Sequence, residues 1–272
     1  MIEIKNISFG YDKEGEQKAL RDINLAVHRG EWLAVLGANG SGKSTLAQHL
    51  NGLLLPDQGQ VLVEGLDTKD ANNILQVRQK VAFVLQNPEN QIVGTSVEED
   101  IAFGPENLGL APEEIGKRVE MSLSFTGLQE QRKKEPHLLS GGQKQLLAIA
   151  GALAMSPHYL LLDEPTSMLD PRMRRQIIEV LKYLQQQLSM GIIYITNMME
   201  DILWADRVAV LQAGRLMAVG ASKQIFADPR QVCAWGLSLP AIGCLSAMLA
   251  EAGHEQLGGI YDSDEMVEAL CK

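Results

Sequence analysis

The sequence predicts an α/β protein with a mainly parallel sheet, an antiparallel β layer near its start and a helical subdomain inserted midway. Three observations predict it. Short apolar runs at 32–36, 81–85, 159–162, 192–196 and 208–211 alternate with helical patterns, as strands buried on both faces do. Two early stretches, 2–9 and 23–27, instead alternate apolar and polar residues, the period of half-exposed antiparallel strands. Residues from about 87 to 157 carry a helical spacing at Ile115, Val119 and Leu123, with loops rich in Gly, Pro and Glu.

One large unit is therefore expected over residues 1–228, with the helical subdomain inside it. Past Asp228-Pro229 the pattern changes. Leu245, Met248, Leu249 and Ala252 mark an amphipathic helix, and Asp262 with Glu265 makes a capping box for a last helix through Met266, Val267 and Leu270. Residues 229–272 are expected to form a small helical extension that packs on the large unit or dimerises.

Composition narrows the function. The 272 residues are 46% hydrophobic, ordinary for a globular protein, and carry a net charge of −10. That balance argues against a nucleic-acid partner, which needs a clustered basic surface. The longest apolar region, 146–162, is broken by Ser156, Pro157 and His158, whereas a spanning helix needs about 20 apolar residues in a row. The opening MIEIKNISFGY alternates and lacks the apolar core of a signal peptide. Cys233, Cys244 and Cys271 are scattered, without Cys-x-x-Cys spacing, so neither zinc nor a disulfide framework is implied and a reducing cytoplasm fits.

Three segments carry chemistry. Gly37-Ala38-Asn39-Gly40-Ser41-Gly42-Lys43-Ser44 fits the phosphate-cradle pattern G-x-x-x-x-G-K-[ST], after the apolar run WLAVL and before a helical run from Thr45 through residue 53. Glycines let successive N–H groups turn inward, the helix start adds its dipole, Lys43 supplies a point charge to phosphate and Ser44 offers a hydroxyl to a hard cation. An empty glycine-rich turn is the alternative; the strand before and the helix after favour the cradle. Second, the apolar run ending at Leu162 delivers Asp163 and Glu164 to the carboxyl edge of a parallel sheet, where ligands bind. Asp163 suits Mg²⁺, and Glu164 suits a general base for water. Third, Ser140 opens a helix with Gly141, Gly142 and Gln143 behind it. Ser140 can cap that helix. Capping alone does not need two glycines, which weaken a first turn; close approach of a phosphate does.

Together GANGSGKST, LSGGQ and LLLDEPTSMLD resemble the motifs of the ATP-binding cassette ATPases, which open and close as dimers around ATP. The resemblance implies a P-loop NTPase (RecA-like) core with an N-terminal antiparallel β subdomain and an inserted helical subdomain. It implies ATP and Mg²⁺ as cofactors, with Ser44, Gln86 and Asp163 toward the metal. It implies that Ser140, Gly141, Gly142 and Gln143 face the γ-phosphate held by the other protomer. Tyr11 falls where the family stacks an aromatic on adenine, and 165–170 resembles the loop that follows the catalytic Glu. One position departs. The family's Thr-His-Asp after the fourth long apolar run is Thr196-Asn197-Met198 here. An asparagine is shorter than histidine and never cationic, so the resemblance implies a site that binds ATP but hydrolyses it slowly.

The resemblance narrows at QNPENQ, residues 86–91, and at SVEEDIAFGPEN, residues 96–107, which look like the ATPase subunits of energy-coupling factor transporters. It implies a second ATPase subunit in a heterodimer, a transmembrane coupling protein, a separate substrate-binding membrane protein, and a place on the cytoplasmic face of the membrane as importer of a vitamin or metal ion. Two alternatives stay open: a regulatory nucleotide-binding subunit with a degenerate site, and a non-transport cassette ATPase acting on DNA ends or ribosomes.

Overall fold

A computed structural model describes residues 1–12, 18–226, 228–239, 241–261 and 263–271. Asp262, half of the expected capping box, lies outside them.

Ten strands and ten α-helices are described. The strands are β1 (Ile2–Phe9), β2 (Leu20–Val27), β3 (Trp32–Leu36), β4 (Gln58–Val63), β5 (Leu66–Asp67), β6 (Val81–Val84), β7 (Tyr159–Asp163), β8 (Gly191–Thr196), β9 (Arg207–Gln212) and β10 (Arg215–Gly220). The helices are α1 (Lys43–Leu50), α2 (Ile74–Lys80), α3 (Val97–Asn107), α4 (Pro112–Thr126), α5 (Gly141–Ala154), α6 (Pro171–Leu188), α7 (Ser222–Ile225), α8 (Pro229–Ala234), α9 (Ala241–Glu251) and α10 (Ser263–Leu270). None is long and apolar enough to cross a membrane among the described residues.

Two sheets form. An antiparallel sheet runs β2-β1-β4-β5, and a six-stranded sheet runs β10-β9-β3-β8-β7-β6, parallel except where β10 pairs with β9. The period of two along each central strand divides the core. Trp32, Ala34 and Leu36 of β3 face the layer of α3 to α6, while Leu33 and Val35 face α1 and the antiparallel sheet. In β8, Ile192 and Tyr194 take the first side and Ile193 and Ile195 the second. Burial on both faces is why these strands read as unbroken apolar runs; each large side chain so buried contributes roughly 1.5–3 kcal/mol.

Several bounds differ from the sequence expectation. The second apolar run, expected over 81–85, stops at Val84, because Gln91 turns its side chain to the strand end: its Oε1 accepts from Leu85 N (2.7 Å) and its Nε2 donates to Phe83 O (2.8 Å). The helix expected over 45–53 runs from Lys43 to Leu50, and Gly52 then turns left-handed at φ 69°. The first half-exposed hairpin is longer, since β2 begins at Leu20.

The C-terminal helix needs a correction. It ends at Glu251, so Ala252 lies beyond it, and Leu245 and Met248 are exposed. Gly243 and Ser246 are buried instead. Ser246 Oγ donates to Leu257 O (2.6 Å) and accepts from Ile260 N (3.0 Å), so a polar pair of bonds sets which face packs. Leu257, Ile260 and Met266 make a small separate core there.

Candidate active site

The cradle lies between the end of β3 and the start of α1. A Cβ on Gly37 would lie 2.3 Å from Leu211 O, and one on Gly42, at φ 104°, would lie 2.7 Å from Ala19 O. Only glycine fits either position, and Gly42 supplies the left-handed turn that starts α1. Lys43 is 5% exposed, and its Nζ donates to Gly37 O (2.8 Å) and Ala38 O (3.2 Å), curling the loop over the ammonium. Burial pushes its pKa below the usual value, and the Glu164 and Asp163 carboxylates oppose that shift.

The carboxylates close the other side. Asp163 ends β7, and burial pushes its pKa up against the pull of a Ser44 hydrogen bond and the Lys43 charge. Its Oδ1 is buried without a hydrogen-bond partner, as is Ser41 Oγ in the cradle. Glu164 follows at φ 45°, a conformation that costs a non-glycine residue on the order of 1–3 kcal/mol. Its N–H donates to Ile195 O (2.9 Å), which holds the turn. Its carboxylate accepts from Gln86 Nε2 (3.0 Å) and lies 3.9 Å from Lys43 Nζ.

Tyr11, Asn39, Gly40, Lys43, Ser44, Thr45, Gln86 and Glu164 line one cleft of about 440 Å³. Tyr11 is exposed, stands edge-on to Phe9 (5.1 Å between centroids) and shares a hydrogen bond with Thr45 Oγ1 (3.1 Å). Asn197 is exposed at the end of β8, its Nδ2 donating to Asn39 Oδ1 (3.4 Å). The Ser140–Gly141–Gly142–Gln143 turn does not line this cleft. It makes a capping box with itself: Ser140 N donates to Gln143 Oε1 (3.0 Å) and Gln143 N to Ser140 Oγ (3.3 Å). Gly141 is exposed, with open space where a Cβ would stand; Gly142 packs on Met173. Gln91, the residue that fixes the segment carrying Gln86, went unseen as a positioning group. Its signal was a second glutamine five residues on, across a Pro-Glu-Asn turn.

A cleft with its own cradle and carboxylates, and a serine-glycine turn outside its lining, is the half-site of an ATP-binding cassette. The ABC transporter family matches residues 20–167. The energy-coupling factor transporter ATP-binding protein EcfA1 of Clostridium novyi is 47% identical over 274 residues, covering 100% of this chain and 98% of its own. The structure of cbiO1 from Clostridium perfringens, part of the ABC transporter complex cbiONQ, superposes with a TM-score of 0.79 at 36% identity, covering 94% of this chain and 98% of that one. A dimer of the ATP-binding cassette MJ0796 in a post-hydrolysis state with ADP and Pi gives 0.73 at 29% identity, covering 82% and 99%. The chain belongs to the energy-coupling factor transporter ATP-binding proteins of the ABC transporter family, ATPases that bind ATP and couple its hydrolysis to transport.

Proposed function

We propose that this chain pairs with a second, non-identical ATPase subunit on the cytoplasmic face of the membrane, beneath a transmembrane coupling protein and a substrate-binding membrane protein that together import a vitamin or metal ion. One observation carries the coupling. The segment 85–93 reaches two cavities: Gln86 lines the cleft, while Leu85, Gln91 and Val93 line an apolar groove of about 360 Å³ with Leu53 and Phe103. A helix of the coupling protein seated in that groove bears on the backbone that holds Gln86 against Glu164.

The cleft suits ATP with Mg²⁺. The orphaned buried Asp163 Oδ1 and the Ser44 hydroxyl bonded to that carboxyl are the hard oxygen donors such a cation takes. Ser44, Asp163 and Gln86 would hold the metal, which supplies charge neutralisation to the phosphates. The loop from Gly37 to Thr45 binds phosphate through its N–H groups and Lys43, and Tyr11 gives adenine a flat face at the cleft mouth. Glu164 accepts the proton of the attacking water, held in place by Gln86. Asn197 gives a short amide donor where the family has histidine, so this cleft hydrolyses slowly. Ser140, Gly141, Gly142 and Gln143 complete the partner's cleft. The exposed Leu245, Met248, Val267 and Leu270 of α9 and α10 support a dimerisation role for residues 229–272.

Phe103→Asp tests the docking. Phe103 is half exposed, so the variant is expected to fold and bind nucleotide normally while losing co-purification with the coupling protein. Normal co-purification and transport would refute the groove.

A further inference from the structure

A buried carboxylate outside the cleft ties its two catalytic loops together. Asp201 is 1% exposed, on the turn that follows Asn197. Its Oδ2 accepts from Thr166 Oγ1 (2.7 Å), from Tyr194 OH (3.1 Å) and, more weakly, from Thr196 Oγ1 (3.4 Å). Thr166 lies two residues beyond Glu164, on the loop that the strained Glu164 turn begins. Thr196 lies one residue before Asn197, and its Oγ1 accepts from Met198 N (2.9 Å), on Asn197's other side. Arg174 of α6 sets its Nε 3.7 Å from Asp201 Oδ1 and its other nitrogen 3.1 Å from Met198 Sδ.

The protons can be assigned. Burial and the Asp201 carboxylate push the Tyr194 pKa well up, so the phenol keeps its proton. Thr166 has one hydroxyl proton and spends it on Asp201, so the single proton of Tyr194 OH is shared between Thr166 Oγ1 at 2.8 Å and Asp201 Oδ2 at 3.1 Å. The hydroxyls of Thr166, Tyr194 and Thr196 therefore converge on one carboxylate, with Tyr194 also bonded to Thr166. A structural staple could use a single bond; this cluster fixes the spacing of two loops, each one or two residues from a group in the cleft.

We propose that Asp201 is a positioning residue for ATP hydrolysis, setting through Thr166 and Thr196 the distance between the Glu164 turn and Asn197. The proposal rests on the hydrolytic roles given above to Glu164 and Asn197. It makes hydrolysis, and not nucleotide binding, depend on a residue that touches neither water nor phosphate.

The test uses Asp201→Asn, Thr166→Val and Tyr194→Phe in the full chain, assembled with its partners, measuring ATP turnover, KM and melting temperature. Misplacing a reacting group by about 1 Å can cost about 100-fold, so Asp201→Asn and Thr166→Val are each expected to lower kcat about 10-fold or more with KM for ATP unchanged. The double variant is expected to fall no further than the worse single, because both act through one bond. Unchanged kcat, additive losses in the double variant, or kcat and KM falling together with the melting temperature would each overturn the proposal. Should Asp201→Asn not fold, the single-hydroxyl variants Thr166→Val and Tyr194→Phe are held to the same kcat-against-KM criterion. Absence of turnover in the unaltered complex overturns the hydrolytic reading and this proposal together; turnover there with no kcat loss in the variants overturns this proposal alone.

Discussion

The cradle and the serine-glycine turn both present glycines and a hydroxyl at a helix start, yet the chain treats them differently. Around Gly37 and Gly42 there is no room for a Cβ, Lys43 is nearly sealed, and the loop carbonyls hold its ammonium. Around Gly141 there is open space, and the side chains of Ser140 and Gln143 each bond the other's backbone. One surface is shaped from within, for a ligand the chain holds itself. The other is open at Gly141, as its proposed role toward a ligand held by a different molecule requires.

Three changes break or sharpen that contrast. The largest effect is expected from Asn197→His, on the cradle side. A well-placed donor to developing charge is worth about 10²–10³ in rate, so turnover of the assembled complex should rise toward that factor, with nucleotide affinity little changed. Unchanged turnover would refute the reading that Asn197 slows this cleft. Next is Gly141→Ala. Within the chain it is harmless, and replacing a helical glycine should stabilise by up to about 1 kcal/mol. In the complex it should cut turnover on the order of 10–100-fold, because the methyl occupies space the opposing phosphate needs. A stabilised variant with full turnover would reduce the turn to a cap.

The smallest effect is expected from Asp163→Asn, read as a melting temperature without nucleotide. Burial raises the folded pKa of Asp163 above its ordinary 3.8, so the folded state keeps a proton that the unfolded chain releases. The stability this group contributes is present below the ordinary pKa and is lost as pH climbs through the raised one. The variant should therefore melt higher than the parent above that window and like it at acid pH. Magnesium-dependent nucleotide binding should weaken at the same time, a site held ready at the expense of the empty fold.

Much of the fold is legible because the parallel strands are buried on both faces. Trp32–Leu36 can be read to the residue, since nothing polar interrupts it. Strand β10 is not legible, because its side chains alternate between exposed and half-buried and no apolar run marks it; the left-handed Ala213-Gly214 pair that turns it back on β9 is its clearer signal. Strand β4 is hidden by Gln58, Gly59 and Gln60, whose pairing with β1 comes from backbone bonds and not from burial. The face of α9 misleads because Ser246, a small polar residue, outcompetes Leu245 and Met248 by bonding two backbone groups, Leu257 O and Ile260 N, of the segment beyond the helix. In the site, the cradle and carboxylates are legible because their chemistry is local. Gln91 and Asp201 are not, since each acts on backbone or hydroxyls that only tertiary folding brings near.

The stretch from Leu85 to Val93 borders two cavities, the groove through Leu85, Gln91 and Val93 and the cleft through Gln86, and thermodynamics makes any coupling between them reciprocal. If occupancy of the groove tightens the grip on nucleotide by some factor, nucleotide must tighten the grip on the groove's occupant by the same factor. If the coupling protein sits in the groove as proposed, the transporter is loaded from either side, and its membrane half senses the energy charge of the cell through the same nine residues by which it is driven.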